Sequence, residues 1–325
     1  LIYYFQLKGS LSYFVKYIIF NLKNLYYIFS KKLKIFKIHL YYTIYMNFAT
    51  EMPTNPIFIF IDGSYFCFYR YHSLLTWWKN AYPDQTDVLL DPYNNEKFLN
   101  KFKKTFIDNI EKIPKCLNID KNEKPIIIVG KDCKRENIWR NELFPNYKAN
   151  RSNRPEDGFM GGPFFKLAYE DDLFIQGGAK SILKHPKLEA DDCIAITVKH
   201  LINTYPTCNI YIITSDKDYL QLAEERIHIY NLAFKKITEQ KSCTGDAKCD
   251  LFCKIVTGDI SDNIPSVFPK CGPKTALKYF NNRELFEKKL QESELFQKQY
   301  EINRNIIDFN YIPEELVDEF MNSPK

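Results

Sequence analysis

Residues 210–218 read IYIITSDKD, a short apolar run that ends in a threonine, a serine and two aspartates. Short runs rich in β-branched and aromatic residues and bounded by polar residues predict buried parallel strands, here Ile210 to Thr214. Ile57 to Ile61 and Ile126 to Gly130 have the same form, and Asp62 and Asp132 follow them closely. In an open α/β sheet, ligands bind beyond the carboxyl ends of the strands. We therefore expect the acids after these strands to converge at one edge of a sheet.

The order of the remaining patterns predicts an α/β fold with a second, smaller part. The chain alternates strands and helices up to about residue 240, which is typical of a parallel sheet flanked by helices, and beyond that point only helices and turns are indicated. We predict an α/β domain over 46–240 and a helical domain over 241–325. The further predicted elements are helices at about 96–113, 163–176 and from Glu189 to about Thr204, and strands near 181–185 and over Ile227 to Leu232.

The first 45 residues differ from the rest in charge. They contain seven lysines and no arginine or acidic residue, so the formal charge of +5 becomes −2 for the remainder. These lysines interrupt every apolar stretch, and a membrane span needs roughly 20 apolar residues. We interpret 1–45 as a basic, aromatic-rich extension that is dispensable or translated upstream of Met46. A surface-binding arm and a targeting segment are the alternatives.

The nine cysteines do not suggest an oxidising compartment. Several lie in apolar surroundings, where free thiols are common. Cys243, Cys249, Cys253 and Cys271 lack the CxxC spacing of a zinc site, and no histidine accompanies them. We expect free thiols in an intracellular protein that is not secreted and does not span a membrane. Cytoplasm and nucleus are left open.

Nine acids in five clusters are the candidate ligands for metal ions. Hard divalent cations take oxygen ligands, and two ions about 4 Å apart can activate a water and stabilise a phosphoryl centre. An isolated aspartate after a strand is more often a turn former or a helix cap, and an acidic pair on a helix usually faces solvent. Five clusters in this order favour a metal site. The nine acids are Asp62, Asp132, Glu189, Asp191, Asp192, Asp216, Asp218, Asp259 and Asp262.

The motifs around these acids resemble the 5′ nucleases, a PIN-like superfamily that includes flap endonucleases, phage 5′-3′ exonucleases and the 5′ nuclease domain of bacterial DNA polymerases. The segments TSDKD at 214–218 and GDISDNIP at 258–265 are the most specific. The resemblance spans about 57–280. The other matching segments are IDGSY at 61–65, Asp132 with WRNELFPNYKANR at 139–151, EADD at 189–192 and GPKTA at 272–276.

The resemblance implies a PIN-like (Rossmann-like) fold and structure-selective hydrolysis of phosphodiester bonds with two Mg²⁺ ions, for which Mn²⁺ could substitute. It places Asp62, Asp132, Glu189 and Asp191, with Asp192 nearby, around the ion nearest the scissile phosphate. It places Asp216, Asp218, Asp259 and Asp262 around the second ion. The substrates it implies are 5′ ends, flaps or nicks of DNA, or RNA primers on DNA.

The resemblance also assigns roles to basic and aromatic residues. Lys148 and Arg151 match a basic pair at the base of an arch, predicted here over about 140–185, and such a pair can neutralise charge on the cleaved phosphate. A solvated basic loop that only positions phosphates is the alternative. Arg70 matches a family arginine but lies one residue further along the chain. Tyr147 could stack on an unpaired base or serve packing.

The stretch from Pro269 to Thr275 resembles the family's helix-hairpin-helix motif, which grips duplex backbone without reading sequence. The residues implied in DNA binding are Lys270, Gly272, Lys274 and Thr275. One residue is inserted before the hairpin, and Lys270 replaces a common glycine. For this reason we do not extend to this chain the K⁺ ion that the family holds there.

Two rival functions use the same residues. A PIN-like or ribonuclease H-like enzyme would cleave RNA with the same carboxylates, and a catalytically silent scaffold would bind nucleic acid without cleavage. A Walker A loop and an HExxH motif are absent, which disfavours several other enzyme classes. We expect a monomer whose partner is DNA or an RNA–DNA hybrid, and we find no clear sliding-clamp motif.

Overall fold

Five parallel strands form the centre of the protein in the computed structural model, which describes residues 55–151 and 160–323. The strands are β1 Ile57–Asp62, β2 Ile126–Gly130, β3 Ala179–Leu183, β4 Asn209–Ile213 and β5 Ile227–Tyr230. Their order across the sheet is β3-β2-β1-β4-β5. The predicted parallel α/β sheet is confirmed. The predictions for residues 1–45, and for the part of the arch at 152–159, lie outside the described residues.

Helices flank the sheet and form the C-terminal part of the described chain. Those before β4 are α1 Gly63–Ala81, α2 Glu96–Glu111, α3 Ile113–Cys116, α4 Arg140–Leu143, α5 Gly162–Glu170, α6 Leu173–Gln176 and α7 Ala190–Thr204. Those after β5 are α8 Ala247–Thr257, α9 Pro273–Asn281, α10 Arg283–Gln291, α11 Glu294–Ile307 and α12 Glu314–Asn322. The C-terminal helical region is therefore present as predicted.

An aromatic core lies between the sheet and α2. Phenylalanines at every fourth position place Phe98, Phe102 and Phe106 on the buried face of α2. Phe106 packs edge-on against Phe66 of α1, with ring centroids 4.9 Å apart. Aromatic pairs in this arrangement add stabilisation beyond their buried area. The core thus fixes α1, and with it the acidic end of β1, against the rest of the sheet.

Some element boundaries differ from the sequence predictions. The helix predicted over 163–176 is divided into α5 and α6, because Asp172 adopts a left-handed conformation with φ of 51°. β3 begins two residues before the predicted range, and β5 ends at Tyr230 rather than Leu232. Local patterns predict which elements exist better than they predict where each one ends.

The α/β part and the C-terminal helices belong to one compact unit, which begins at Asn55. Contacts between α8 and the 3₁₀ helix Lys217–Leu222 join the two parts. The division predicted near residue 240 stays a prediction. Among the residues that the structure describes, no helix is long and apolar enough to span a membrane.

Candidate active site

The carboxyl ends of the central strands open into a cleft with a volume of about 1090 Å³. Seven of the nine predicted acids line it, and the two others, Asp192 and Asp262, are buried behind it. The predicted convergence at one sheet edge is therefore observed. The seven acids are Asp62, Asp132, Glu189, Asp191, Asp216, Asp218 and Asp259.

Asp62 ends β1, Asp132 lies two residues after the neighbouring strand β2, and neutral donors hold both. The carboxylate of Asp62 caps α1 by accepting from the Tyr65 amide at 3.1 Å, and it also accepts from the Thr214 hydroxyl at 3.1 Å. The carboxylate of Asp132 accepts from the Ser64 hydroxyl at 2.5 Å and from the Ala190 amide at 2.8 Å. Within the described residues, neither acid forms an ion pair. Their orientation is fixed while their charge remains uncompensated.

Burial and repulsion from neighbouring acids raise the pKa of two acids of the cleft, Asp62 and Asp191. Burial, followed by repulsion from Asp132, raises the pKa of Asp62 to about 7. Burial, followed by repulsion from Asp192, raises the pKa of Asp191 well above its ordinary value. Buried groups disfavour their charged form, and a neighbouring like charge acts in the same direction. The cleft thus holds carboxylates that require an additional positive charge if they are to ionise together.

A buried arginine organises the acids at the start of α7. Arg140 is 3% exposed and binds Asp192 through two bonds, Nη2 to Oδ1 at 2.7 Å and Nη1 to Oδ2 at 2.8 Å. Its Nη1 also donates to Glu189 at 3.0 Å, and the indole of Trp139 donates to Asp192 at 2.9 Å. Asp192 also accepts from the Glu189 amide. Both oxygens of Asp192 therefore accept from protein donors, and its role as a metal ligand stays a prediction.

The predicted basic pair does reach the acids. The Lys148 ammonium lies 2.5 Å from Glu189 and 3.7 Å from Asp262, and Arg151 lies 2.5 Å from Asp262. Burial alone would raise the pKa of Glu189, but Lys148 and Arg140 lower it below its ordinary value. Both basic residues line the cleft. They are placed to contact an anion there as well as to hold Glu189 and Asp262.

The segment after β4 is a turn rather than an extension of the strand. β4 ends at Ile213, and Asp216 begins the 3₁₀ helix Lys217–Leu222 by accepting from the Asp218 amide at 2.9 Å. The two acids therefore do not lie on a continuing strand. Both side chains nevertheless line the cleft, because the tight turn returns Asp218 toward it.

Sequence reasoning missed Lys254, a lysine in the last turn of α8. Its ammonium contacts Asp218 and lies 2.9 Å from Asp259. Burial alone would raise the pKa of Asp259, but Lys254 and the Ser261 hydroxyl lower it to about 2. The signal in the sequence was a lysine five residues before Asp259, which is easily interpreted as an ordinary C-terminal helix charge.

Gly258 shapes the loop that carries Asp259 and Asp262. Its φ is 71°, and a Cβ there would lie 2.4 Å from the Ile264 carbonyl oxygen, so a side chain would strain the turn. Asp259 then caps the 3₁₀ helix Ile260–Asp262 by accepting from the Ser261 amide at 2.7 Å. Gly258 thus allows the chain to turn tightly against Ile264, and this turn places Asp259 in the cleft.

Two predicted residues lie away from the cleft lining. The side chain of Tyr147 is 5% exposed, and its hydroxyl donates to Glu189 at 3.0 Å, so the ring packs inside the protein. This placement agrees with the packing alternative, and the DNA-binding role of Tyr147 stays a prediction. Arg70 lies on α1 with its guanidinium 4.8 Å from the Tyr69 ring centroid, and it is not among the residues that line the cleft.

The stretch that resembles a hairpin contains one residue with a positive φ. Lys270 takes a left-handed conformation with φ of 58°. Gly272 begins α9 and lines the cleft, whereas Lys270, Lys274 and Thr275 do not. The DNA-gripping role of this region stays a prediction. All nine cysteines are unpaired, including the four considered for zinc.

A family model for the N-terminal resolvase-like domain of 5′-3′ exonucleases matches residues 57–249, more than half of the chain. This chain belongs to that family. The resemblance inferred from the motifs is confirmed, and the matched range covers every predicted acid except Asp259 and Asp262.

Curated relatives extend this result. The chain is 34% identical over 183 residues to a "5′-3′ exonuclease" of Buchnera aphidicola from Schizaphis graminum, which covers 53% of this chain and 59% of that protein. It is 29% identical over 215 residues to the "Ribonuclease H" of Enterobacteria phage T4, which covers 60% of this chain and 68% of that protein. The match thus spans little more than half the length of the Buchnera relative.

Solved structures share the fold. The phage T5 D15 protein, crystallised with metal ions, aligns with a TM-score of 0.55 at 16% identity over 81% of this chain and 96% of that one. A T5 D15 flap endonuclease in complex with DNA and metal ions aligns equally well, with a TM-score of 0.55. At this level of identity the likeness establishes the fold.

Proposed function

We propose that the protein is a structure-selective nuclease that hydrolyses phosphodiester bonds at 5′ ends, flaps or nicks of DNA by two-Mg²⁺ catalysis. The observation that carries this proposal is the set of uncompensated carboxylates in the cleft. Asp62, Asp132, Asp191 and Asp216 converge there, and none of them forms an ion pair among the described residues.

The donor set suits a hard divalent cation. All of the converging groups are carboxylate oxygens, the ligands that Mg²⁺ prefers, and Mn²⁺ accepts the same ligands. One carboxylate oxygen from each of Glu189, Asp191 and Asp192 lies within 4.8 Å of the other two, a spacing that suits metal ligation. Asp192 is also held by Arg140. The residues that would hold ions are Asp62, Asp132, Glu189 and Asp191 on one side, and Asp216, Asp218 and Asp259 on the other.

Bound ions would activate a water and stabilise the attacking and leaving oxygens of the phosphoryl group. The protein's own residues have separate tasks in this proposal. Asp192 and Asp262 are held by Arg140 and Arg151 and keep their neighbours in place. Lys148 and Arg151 line the cleft, where they can bind the phosphate and neutralise its developing charge.

The family and the cleft both support this substrate class. A relative named as a 5′-3′ exonuclease supports action from 5′ ends, and the cleft also includes Gly272 of the proposed duplex-gripping hairpin. Cleavage of RNA paired to DNA is the second candidate, favoured by the likeness to the T4 "Ribonuclease H". We further propose that the protein acts as an intracellular monomer with free thiols.

The test is cleavage by the full chain of matched 5′-flap, nicked, gapped, single-stranded and RNA-primed substrates, with Mg²⁺ or with EDTA. We expect Mg²⁺-dependent cleavage at the 5′ end of duplex-containing substrates. Asp216→Asn should abolish cleavage but retain binding to flap DNA. Cleavage that persists in EDTA, or that is confined to single-stranded RNA, would contradict the proposal.

A further inference from the structure

The C-terminal end of α11 lies directly behind the cleft. Ile306, Ile307 and Phe309 are all less than 5% exposed, and the two isoleucines pack in one cluster with Tyr147 and Ile264. The last carbonyl groups of a helix have no partner within the helix and must be satisfied from elsewhere. Here two of those carbonyls accept hydrogen bonds from side chains that also contact acids, or the backbone that carries them, in the cleft.

One of these side chains is Arg140. While its two terminal nitrogens bind Asp192 and Glu189, its Nε donates to the Ile306 carbonyl at 2.7 Å. A cation at the carboxyl end of a helix is also favoured by the helix dipole. Arg140 therefore joins α11 to the acids at the start of α7.

The other side chain is Gln221, in the 3₁₀ helix that presents Asp216 and Asp218. Its Nε2 donates to the Ile307 carbonyl at 3.1 Å and to the Asp218 carbonyl at 3.0 Å. Its Oε1 accepts from the Phe309 amide at 2.8 Å. Phe309 also packs against Tyr219 of the same 3₁₀ helix. Gln221 therefore joins the same helix end to the acids after β4.

We infer that the segment Ile306–Phe309 fixes the spacing between the two groups of metal-binding acids, with Arg140 and Gln221 as its positioning residues. The spacing of acids on one backbone segment is set by that segment, but these two groups of acids lie on different segments. A shared rigid support sets the distance between them. This inference rests on the proposed function, because the spacing matters only if two ions are bound.

The test compares four forms of the full chain: the unchanged protein, Gln221→Ala, Arg140→Lys and Asn310→Ala. Asn310 is the matched control, because its amide joins the same turn to Lys199 and Asp308 but contacts no acid of the cleft. Mn²⁺ binding is measured by calorimetry, cleavage as kcat and KM, and folding by thermal melting without metal.

Gln221→Ala should weaken Mn²⁺ binding about 10-fold or more, the usual consequence of removing a group that orients metal ligands. It should lower kcat with little change in KM for a 5′-flap duplex. Arg140→Lys keeps the charge but cannot reach all four acceptors, so it should act in the same direction. Asn310→Ala should lower the melting midpoint at most and leave Mn²⁺ affinity unchanged.

Gln221→Ala with the Mn²⁺ affinity and kcat of the unchanged protein would overturn the inference, as would an equal loss of Mn²⁺ affinity in Asn310→Ala. Should Gln221→Ala fail to fold, Gln221→Met keeps the side-chain length without the hydrogen bonds and is judged by the same criteria. If the unchanged protein itself neither binds Mn²⁺ nor cleaves, the proposed function fails. If it does both and the variants match it, only this inference fails.

Discussion

Asp191 and Asp192 are adjacent in the chain, yet their electrostatic surroundings are opposite. Asp192 is fully buried and is held by two bonds from Arg140 and one from Trp139. Asp191 lines the cleft, forms no ion pair within the described residues, and has a pKa raised chiefly by burial. Proximity in sequence therefore says little about role. Pairing with a buried protein cation distinguishes Asp192 from Asp191.

The same division runs through the whole site. Protein cations compensate the charge of four further acids. Lys148 pairs with Glu189, Arg151 pairs with Asp262, and Lys254 pairs with both Asp218 and Asp259. Asp62, Asp132 and Asp216 receive only neutral donors from the protein. Removal of one partner of a buried ion pair leaves an uncompensated charge, whereas removal of a repelled carboxylate relieves repulsion. Substitutions in the two sets should thus have opposite effects on stability.

The largest expected effect is on catalysis, from Asp191→Asn. We expect kcat to fall about 100-fold or more, the size of effect seen when a group that stabilises transition-state charge is removed. Without metal, the variant should melt at a higher temperature than the unchanged protein, because a repelled buried carboxylate is gone. Single-turnover cleavage of a 5′ flap and melting curves in EDTA measure the two effects. Full cleavage by Asp191→Asn would refute its assignment as a ligand.

Asp192→Asn should have the opposite effect on stability. It leaves Arg140 buried without its main partner, a change that typically costs about 3–5 kcal/mol in the free energy of unfolding. Urea unfolding in EDTA measures the loss, with Asp191→Asn as the matched control one residue away. A stability equal to that of the unchanged protein would show that the Arg140 network does not hold the start of α7.

The sequence predicted the acids and their convergence because both depend on local signals. Apolar runs indicate strands, and the polar residues after parallel strands must meet at one edge. Which acids pair with a protein cation or join the supporting network was not predictable in the same way, because it depends on distant partners. Arg140 and the Ile306 carbonyl are 166 residues apart, and Gln221 and the Ile307 carbonyl are 86 residues apart.

The surroundings of Tyr147 and of Asp216 could not be predicted from the sequence for related reasons. Tyr147 lies between two basic or polar residues in sequence, a pattern typical of an exposed side chain, but its ring is buried by α8 and α11 residues from far along the chain. Asp216 and Asp218 follow a strand, but the Asp216 side chain caps a 3₁₀ helix and ends the extended conformation. A short polar side chain that bonds to the backbone two residues on can redirect the chain.

The third prediction uses pH to separate the two sets of acids. The fold raises the pKa of Asp62 from 3.8 to about 7, so it favours the protonated carboxyl. This contribution to stability is complete below about pH 4 and is lost as the pH rises to 7, at a cost of at most about 4 kcal/mol. The fold lowers the pKa of Asp259 to about 2, so it favours the ionised carboxylate. The contribution of Asp259 to stability is lost only as the pH falls from about 4 toward 2.

In EDTA, the melting midpoint of the unchanged protein should fall relative to Asp62→Asn between pH 4 and pH 7. Mg²⁺ should reduce the difference, because a bound cation stabilises the ionised carboxylate. Melting curves at matched ionic strength measure both effects. A constant difference between the two proteins across this range would show that Asp62 ionises normally without metal.

The smallest expected effect comes from Lys254, the cation that the sequence did not reveal as part of the site. Lys254→Gln should raise the pKa of Asp259 toward its ordinary value and lower stability at neutral pH by about 1 kcal/mol, a magnitude typical of a partly exposed pair. The same change removes a positive charge beside two candidate ligands, so Mn²⁺ binding should become tighter. Lys187→Gln is the control, because Lys187 pairs with Glu142 on the exposed surface and does not line the cleft. Weaker Mn²⁺ binding by Lys254→Gln would mean that Lys254 positions Asp218 and Asp259 for an ion, whereas tighter binding would mean that it competes with one.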